Sequence, residues 1–66
     1  MALYLEEVTD QEALLHFLRY EMNYPLKDAF SMLKKLPELL FLISEPELTE
    51  EYIQRFAEAG GRCTAR

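Results

Sequence analysis

The 66-residue sequence predicts one small α+β domain, residues 1–66, with the element order β-α-α-β-α-β and three helices on one face of a small three-stranded sheet. Three observations predict this fold. Half of the residues are hydrophobic and only two are glycine, which is typical of a globular chain. Apolar residues recur at helical spacing in three segments. Short apolar runs lie outside those segments and predict strands.

The first strand is predicted over Met1–Val8, where aliphatic, aromatic and β-branched residues are mixed. Successive side chains of a strand point to opposite faces of the sheet. Leu3, Leu5 and Glu7 are therefore expected on the buried face. Glu6 is expected on the other face, which we predict to be partly wet.

The first helix is predicted over residues 10–22, behind a capping box formed by Thr9 and Glu12. In that arrangement the Thr9 hydroxyl accepts from the Glu12 amide, and the Glu12 side chain accepts from the Thr9 amide. Asn23 is expected to end the helix, because asparagine tolerates the left-handed backbone region. The apolar face consists of Leu14, Leu15, Phe17, Leu18 and Met22.

The second helix is predicted over residues 25–35, with Pro25 at the first helical position, where its missing N–H costs nothing. Asp28 lies in the first turn and a lysine pair lies in the last turn, which matches the helix dipole. Pro37 prevents the helix from continuing. The apolar face consists of Leu26, Ala29, Phe30, Leu33 and Leu36.

The remaining elements are a second strand, a third helix and a last strand. The apolar run Glu38–Ser44 is too short for an independent helix and predicts a buried strand. The third helix either begins near Ser44 or follows a loop and is capped by Thr49. The glycine pair that begins at Gly60 ends it. Residues Arg62–Arg66 then form the last strand.

Charge and composition exclude several classes of protein. The net charge of −5 argues against a general nucleic-acid binder. One cysteine and one histidine exclude an internal disulfide and disfavour zinc, and no glycine-rich phosphate loop is present, so no metal or cofactor is expected. No apolar run reaches the ~18 residues of a membrane span. Acidic Glu6 and Glu7 stand where a signal peptide is basic, so a cytoplasmic protein without a membrane partner is expected.

Charge is unevenly distributed along the chain. Residues 19–35 contain four basic and two acidic residues, a net charge of +2, whereas residues 38–58 carry −5. Two interpretations remain open at this stage. The charges form ordinary solvated faces, or the middle segment presents a basic face to an acidic partner.

The two residues with reactive side chains give weak signals. His16 has no acidic or thiol neighbour at local spacing, so a surface histidine is expected. Cys63 lies between Arg62 and Arg66, and basic neighbours lower the pKa of a thiol. A packed, unreactive thiol and a reactive or intermolecular thiol both stay open.

The element order, with its tight pair of helices, resembles the C-terminal domain of the bacterial ribosomal stalk protein. The resemblance covers nearly the whole chain, and its motifs are structural. The family has an aliphatic pattern closing in arginine in helix 1, Leu-Lys-Glu-Ala in helix 2, a proline at the end of helix 2 and Glu-Ala-Gly at the end of helix 3. The matching positions are Leu14, Leu15, Leu18 and Arg19, then Leu26–Ala29, Pro37 and Glu58–Gly60.

The resemblance implies a binding function, because in that family the domain recruits translational GTPases through helix 1 and the start of helix 2. Two family lysines are replaced here, by His16 and Phe30, which lowers the positive charge. Exposed aromatic residues beside Arg19 and Lys27 would add an apolar surface, since aromatic residues and arginine are common at interface hot spots. Tyr24 is a candidate for this aromatic patch. The expected partner-binding residues are Leu15, Arg19, Tyr20, Leu26, Lys27 and Phe30.

We therefore expect a non-enzymatic protein–protein interaction module whose partner is a protein, with a translation factor as one candidate. Two alternatives remain. A self-associating structural module would pair through the edge of the apolar strand 39–43, giving a homo-oligomer. The same fold also occurs in the adaptor of the Clp protease, which carries a pocket of acidic residues and a histidine, and His16 is the one candidate for it here. No convergent set of titratable groups predicts an enzyme.

Overall fold

The computed structural model describes residues 1–66 and confirms the predicted order β-α-α-β-α-β. A short 3₁₀ turn, Pro46–Leu48, precedes the third helix. The strands are β1 (Ala2–Val8), β2 (Glu38–Leu42) and β3 (Gly61–Ala65). The helices are α1 (Gln11–Tyr20), α2 (Leu26–Lys34) and α3 (Thr49–Ala59).

The three strands form an antiparallel sheet in the order β2-β1-β3, so the first strand of the chain is the central one. Leu3 pairs with Phe41 of β2, and Leu5 pairs with Cys63 of β3. At the end of the sheet, Ala2 exchanges two backbone hydrogen bonds with Arg66, at 2.8 and 2.9 Å. Because β1 pairs on both sides, β2 and β3 are the edge strands.

The core lies between the sheet and the helices. Each helix contributes fully or nearly fully buried side chains, and the side chains of Phe17 and Phe56 meet edge to face at 5.0 Å between ring centroids. All three helices therefore cover one face of the sheet, as predicted. The buried core consists of Leu3, Leu5, Leu14, Leu18, Ala29, Met32, Leu40, Ile43, Phe56 and Cys63.

The open face of the sheet is partly wet, as predicted for Glu6. The Glu6 carboxylate accepts a hydrogen bond from the Thr64 hydroxyl at 2.7 Å and forms an ion pair with Arg66 at 3.2 Å. The expected inward position of Glu7 is wrong. The pairing with β3 shifts register between Leu5 and Glu7, so Glu7 is exposed and Val8 packs against the core instead.

Helix α1 begins one residue later than predicted and ends two residues earlier. The predicted capping role of Thr9 is wrong, because Asp10 is the N-cap and its side chain accepts from the Ala13 amide at 3.1 Å. The Thr9 amide instead donates to the carbonyl of Gly60 at 2.8 Å. Asn23 adopts a φ of 61°, which confirms the predicted left-handed stop after α1.

Helices α2 and α3 also start differently from the prediction. Pro25 has an extended backbone and is the N-cap of α2, so the helix begins at Leu26 and runs to Lys34. Thr49 is the first residue of α3 and does not cap it. The preceding 3₁₀ turn closes through the Leu48 amide and the Glu45 carbonyl at 2.9 Å, and this turn occupies the place of a side-chain cap.

Gly60 ends α3 in the left-handed conformation, with a φ of 106°, as the glycine pair predicts. Its carbonyl accepts backbone hydrogen bonds from both Thr9 and Asp10, at 2.8 and 3.1 Å. A Cβ atom at Gly60 would lie only 2.5 Å from the Asp10 carbonyl oxygen. Glycine is therefore required here by both backbone conformation and space.

We expect Gly60→Ala to lower the free energy of unfolding by about 3 kcal/mol, because it combines a strained φ with a backbone clash. Gly61→Ala is the matched control. Its added methyl would meet the Leu5 and Leu14 side-chain ends, at 2.9 and 3.2 Å, and these can shift, so the cost is about 1 kcal/mol. Urea unfolding followed by circular dichroism measures both. Equal losses would contradict the need for glycine at residue 60.

Candidate functional site

The six predicted partner-binding residues lie on the last turns of α1 and the first turns of α2. We refer to them together as the α1–α2 surface. Leu15 is half-buried and packs against the core, and the other five residues are exposed. The α1–α2 surface consists of Leu15, Arg19, Tyr20, Leu26, Lys27 and Phe30.

On α1, the burial of Leu14 and Leu18 directs Tyr20 toward solvent, where 61% of its surface is exposed. The Arg19 guanidinium lies 5.2 Å from the centroid of the Tyr20 ring, within the range of a cation–π contact. The His16 ring lies on the same helix face, 4.5 Å from the Tyr20 ring between centroids. These contacts group the exposed aromatic ring of Tyr20 with a cation and a second ring.

On α2, the burial of Ala29 and Met32 leaves Leu26 and Phe30 on the surface, with 42% and 40% of their areas exposed. These two residues are four apart, so they are neighbours on the helix surface. Lys27 is exposed in the same first turn. The start of α2 therefore offers two large apolar side chains and an ammonium group to solvent.

The cations of the α1–α2 surface form no ion pair within the domain. The structure contains two ion pairs, and both lie on the sheet, between Arg62 and Glu7 at 3.3 Å and between Arg66 and Glu6 at 3.2 Å. Arg19 and Lys27 have no carboxylate within ion-pair distance. Their charges are therefore available to a carboxylate outside the chain.

Tyr24 does not join the exposed aromatic patch for which it was a candidate. It packs against the core, and its hydroxyl donates to the carbonyl of Leu40 at 3.3 Å. Burial raises the pKa of Tyr24 above its ordinary value. The exposed aromatic residues of the α1–α2 surface are therefore Tyr20 and Phe30, and Tyr24 ties the connection between the helices to the sheet.

A groove of about 330 Å³ at the start of α1 was missed by the sequence analysis, which considered His16 alone. Asp10, Glu12, Ala13 and His16 line it. The available signal was the spacing of four residues between Glu12 and His16, which places both on one helix face. No group of three or more histidine, cysteine or acidic side chains is arranged to hold a metal ion.

Cys63 is buried in the core, and its arginine neighbours do not lower the pKa of the thiol. Burial, together with the nearby negative charge of Glu6, raises the pKa of the thiol to about 12. Arg62 and Arg66 pair with carboxylates on the open face of the sheet, whereas Cys63 lies on the covered face. The thiol is protonated at neutral pH, which disfavours the reactive alternative.

Comparison of the chain with known protein families, with curated proteins and with solved structures found no match. None of the helices is both long enough and apolar enough to span a membrane.

Cys63 should make stability depend on pH in the alkaline range. Folding raises the thiol pKa from 9.0 to about 12. The contribution of the protonated thiol to the free energy of unfolding is therefore fully present below pH 9 and is lost as pH rises toward 12. Cys63→Ala lacks this titration, so its free energy of unfolding should fall less steeply over that range. Urea unfolding at several pH values measures the two slopes. Parallel slopes would contradict the raised pKa.

Proposed function

We propose that this chain is a non-enzymatic protein–protein interaction module that docks a protein partner through the α1–α2 surface. The observation that carries the proposal is the grouping of exposed Tyr20, Leu26 and Phe30 with two cations that form no ion pair in the domain. Aromatic side chains and arginine are the residues that contribute most at protein interfaces. Arg19 and Lys27 are exposed positive charges in a chain with a net charge of −5, so the α1–α2 surface attracts a negative partner surface.

The chemistry of the α1–α2 surface defines the partner. Leu26 and Phe30 favour apolar side chains, and Arg19 and Lys27 favour carboxylates placed beside them. The partner is therefore an acidic segment with interspersed apolar residues. The resemblance to the ribosomal stalk C-terminal domain supports this location and makes a translation factor the partner class to test first.

Reversing both charges tests the proposed surface. We expect Arg19→Glu combined with Lys27→Glu to weaken partner binding by about tenfold or more, because two attractive contacts become repulsive. The measurement is quantitative mass spectrometry of proteins retained on the immobilised chain, followed by titration of the purified partner.

The control carries Arg55→Glu and Arg62→Glu, which change the net charge equally but lie on α3 and β3. Circular dichroism checks that it is folded, because Arg62→Glu also breaks the ion pair with Glu7. It should retain the partner. If the α1 and α2 double variant retains the same proteins as the unmodified chain, the proposal is wrong. If both double variants lose partner binding equally, binding depends on net charge alone. That result would also contradict a docking role for the α1–α2 surface.

A second candidate function is favoured by the groove of Asp10, Glu12 and His16. Its acidic side chains and histidine correspond in type to the pocket of the Clp-protease adaptor, which presents N-terminal degrons. In this role the carboxylates would bind the ammonium group at a peptide N-terminus. The groove shares no residue with the α1–α2 surface, although His16 contacts Tyr20, so substitution of Glu12 tests the groove separately.

We expect a short peptide with a free amino terminus to bind this groove, and its N-acetylated form to bind at least about tenfold more weakly, because acetylation removes the positive charge. Chemical shift changes at Glu12 and His16 in NMR titrations measure binding. Glu12→Gln should weaken it, whereas Glu50→Gln on α3 should not. Equal binding of both peptides would exclude the adaptor-like function.

A further inference from the structure

The two edges of the sheet differ in how they are protected. β3 carries Arg62 and ends beside Arg66, and both arginines are held by ion pairs on the sheet. β2 has a single charge, Glu38, at one end, and its exposed leucines Leu39 and Leu42 have 45% and 75% of their areas in solvent. Charged residues and prolines are the usual protection of an edge against pairing with another chain. β2 has no proline and no charge beyond Glu38 at its first residue, and its one irregularity is the register shift in its pairing with Leu3 and Tyr4.

The free backbone groups of β2 can be assigned from the hydrogen bonds of β1. Ala2 uses its amide and carbonyl on Arg66 of β3, so it is a non-hydrogen-bonded partner of Leu42 on β2. The backbone groups of Leu42 consequently face away from the sheet. The pairing of β1 with β2 shifts register between Leu3 and Tyr4, so that Tyr4 lies opposite Leu39. Tyr4, like Ala2, turns its backbone groups toward β3, so the backbone groups of Leu39 face outward. The same shift places Leu39 and Leu42, which are three residues apart, on one face of the sheet. The exposed leucines are therefore also the residues that have free backbone groups.

A second β2 strand fits this edge in one antiparallel register. In that register Leu39 lies opposite Leu42 of the second copy, and Leu42 lies opposite Leu39 of the second copy. Opposed residues of an antiparallel pair lie on the same face, so the four exposed leucines meet on the open face of the sheet. The two-fold axis passes between Leu40 and Phe41. The Leu40 carbonyl needs no new partner, because the Tyr24 hydroxyl already donates to it.

Helix α2 and its C-cap residue Lys35 carry a stripe of opposite charges beside this edge. A groove of about 280 Å³ runs between α2 and the β2 edge, and Asp28, Ser31 and Lys35 line its helical side. The acidic residue is at one end of the stripe, the basic residue is at the other, and the small serine is between them. Neither Asp28 nor Lys35 has an ion-pair partner in the chain. An antiparallel copy places each Asp28 beside Lys35 of the second copy.

We propose that two copies of this chain form a symmetric dimer through antiparallel pairing of their β2 edges and the α2 stripes beside them. The interface is isologous, because one strand edge and one charge stripe serve both partners. It is separate from the proposed docking function. Leu26 and Phe30 lie on the opposite flank of the buried face of α2 from Asp28 and Lys35, so a dimer keeps two α1–α2 surfaces accessible.

The test is the mass of the purified chain, by sedimentation equilibrium over a wide range of concentration. We expect the mass to rise with concentration from 7.8 kDa to twice that value. Leu42→Lys places a charge on the edge and should raise the dissociation constant by about tenfold or more. Ala57→Lys, at an exposed position of α3 outside both proposed surfaces, should leave the dissociation constant unchanged.

A charge exchange tests the register. Asp28→Lys should weaken the dimer by about tenfold, because two ion pairs become repulsive. Adding Lys35→Asp to that variant restores opposite charges across the axis and should recover dimerisation. Circular dichroism confirms that each variant is folded. A chain that keeps a mass of 7.8 kDa at the highest concentration overturns the proposal. A dimer that is insensitive to Leu42→Lys, or that is not recovered by the exchange, uses another surface and overturns it as well.

Discussion

The carbonyl of Gly60 accepts backbone hydrogen bonds from Thr9 and Asp10, and the arrangement of the other elements depends on this junction. It joins the turn that ends α3 to the turn that begins α1, at a point where only glycine fits. Gly61 then packs against Leu5 and Leu14, which seats α1 over the central strand. Once α1 is seated with Leu14 and Leu18 inward, Arg19 and Tyr20 must face solvent. A backbone contact at one end of α1 thus determines which side chains the other end exposes.

Much of the fold could be predicted from the sequence because burial imposes a period on each element. The spacing of apolar residues predicted the three helices and the strands in the right order. The ends of the elements were less predictable, since distant contacts decide them. Thr9 matches a capping box locally, but its amide is bonded to Gly60, so Asp10 becomes the cap. The register shift that exposes Glu7 likewise depends on pairing with a strand more than fifty residues away.

The candidate site was partly predictable for the same reason. Apolar residues at helical spacing show which face of each helix is buried. Tyr20 and Phe30 lie off that face, so their exposure could be predicted. The partners of charged residues do not follow from spacing. The sequence places Arg62 next to Cys63, but the pleat of β3 puts the two side chains on opposite faces, and Glu7 holds the arginine. The pKa of Cys63 therefore follows its burial and the charge of Glu6, and the adjacent arginines do not lower it.

The central position of β1 has a consequence for how the protein is made. β1 is synthesised before the other elements of the domain, but its partners on both sides come later in the chain, β2 after two helices and β3 after all three. The sheet cannot close in a nascent chain until residues 61–65 have emerged. Until then α1 has no finished sheet on which to bury Leu14 and Leu18. Formation of the sheet therefore depends on contacts between residues more than fifty positions apart, which is typical of domains that fold more slowly than helical bundles.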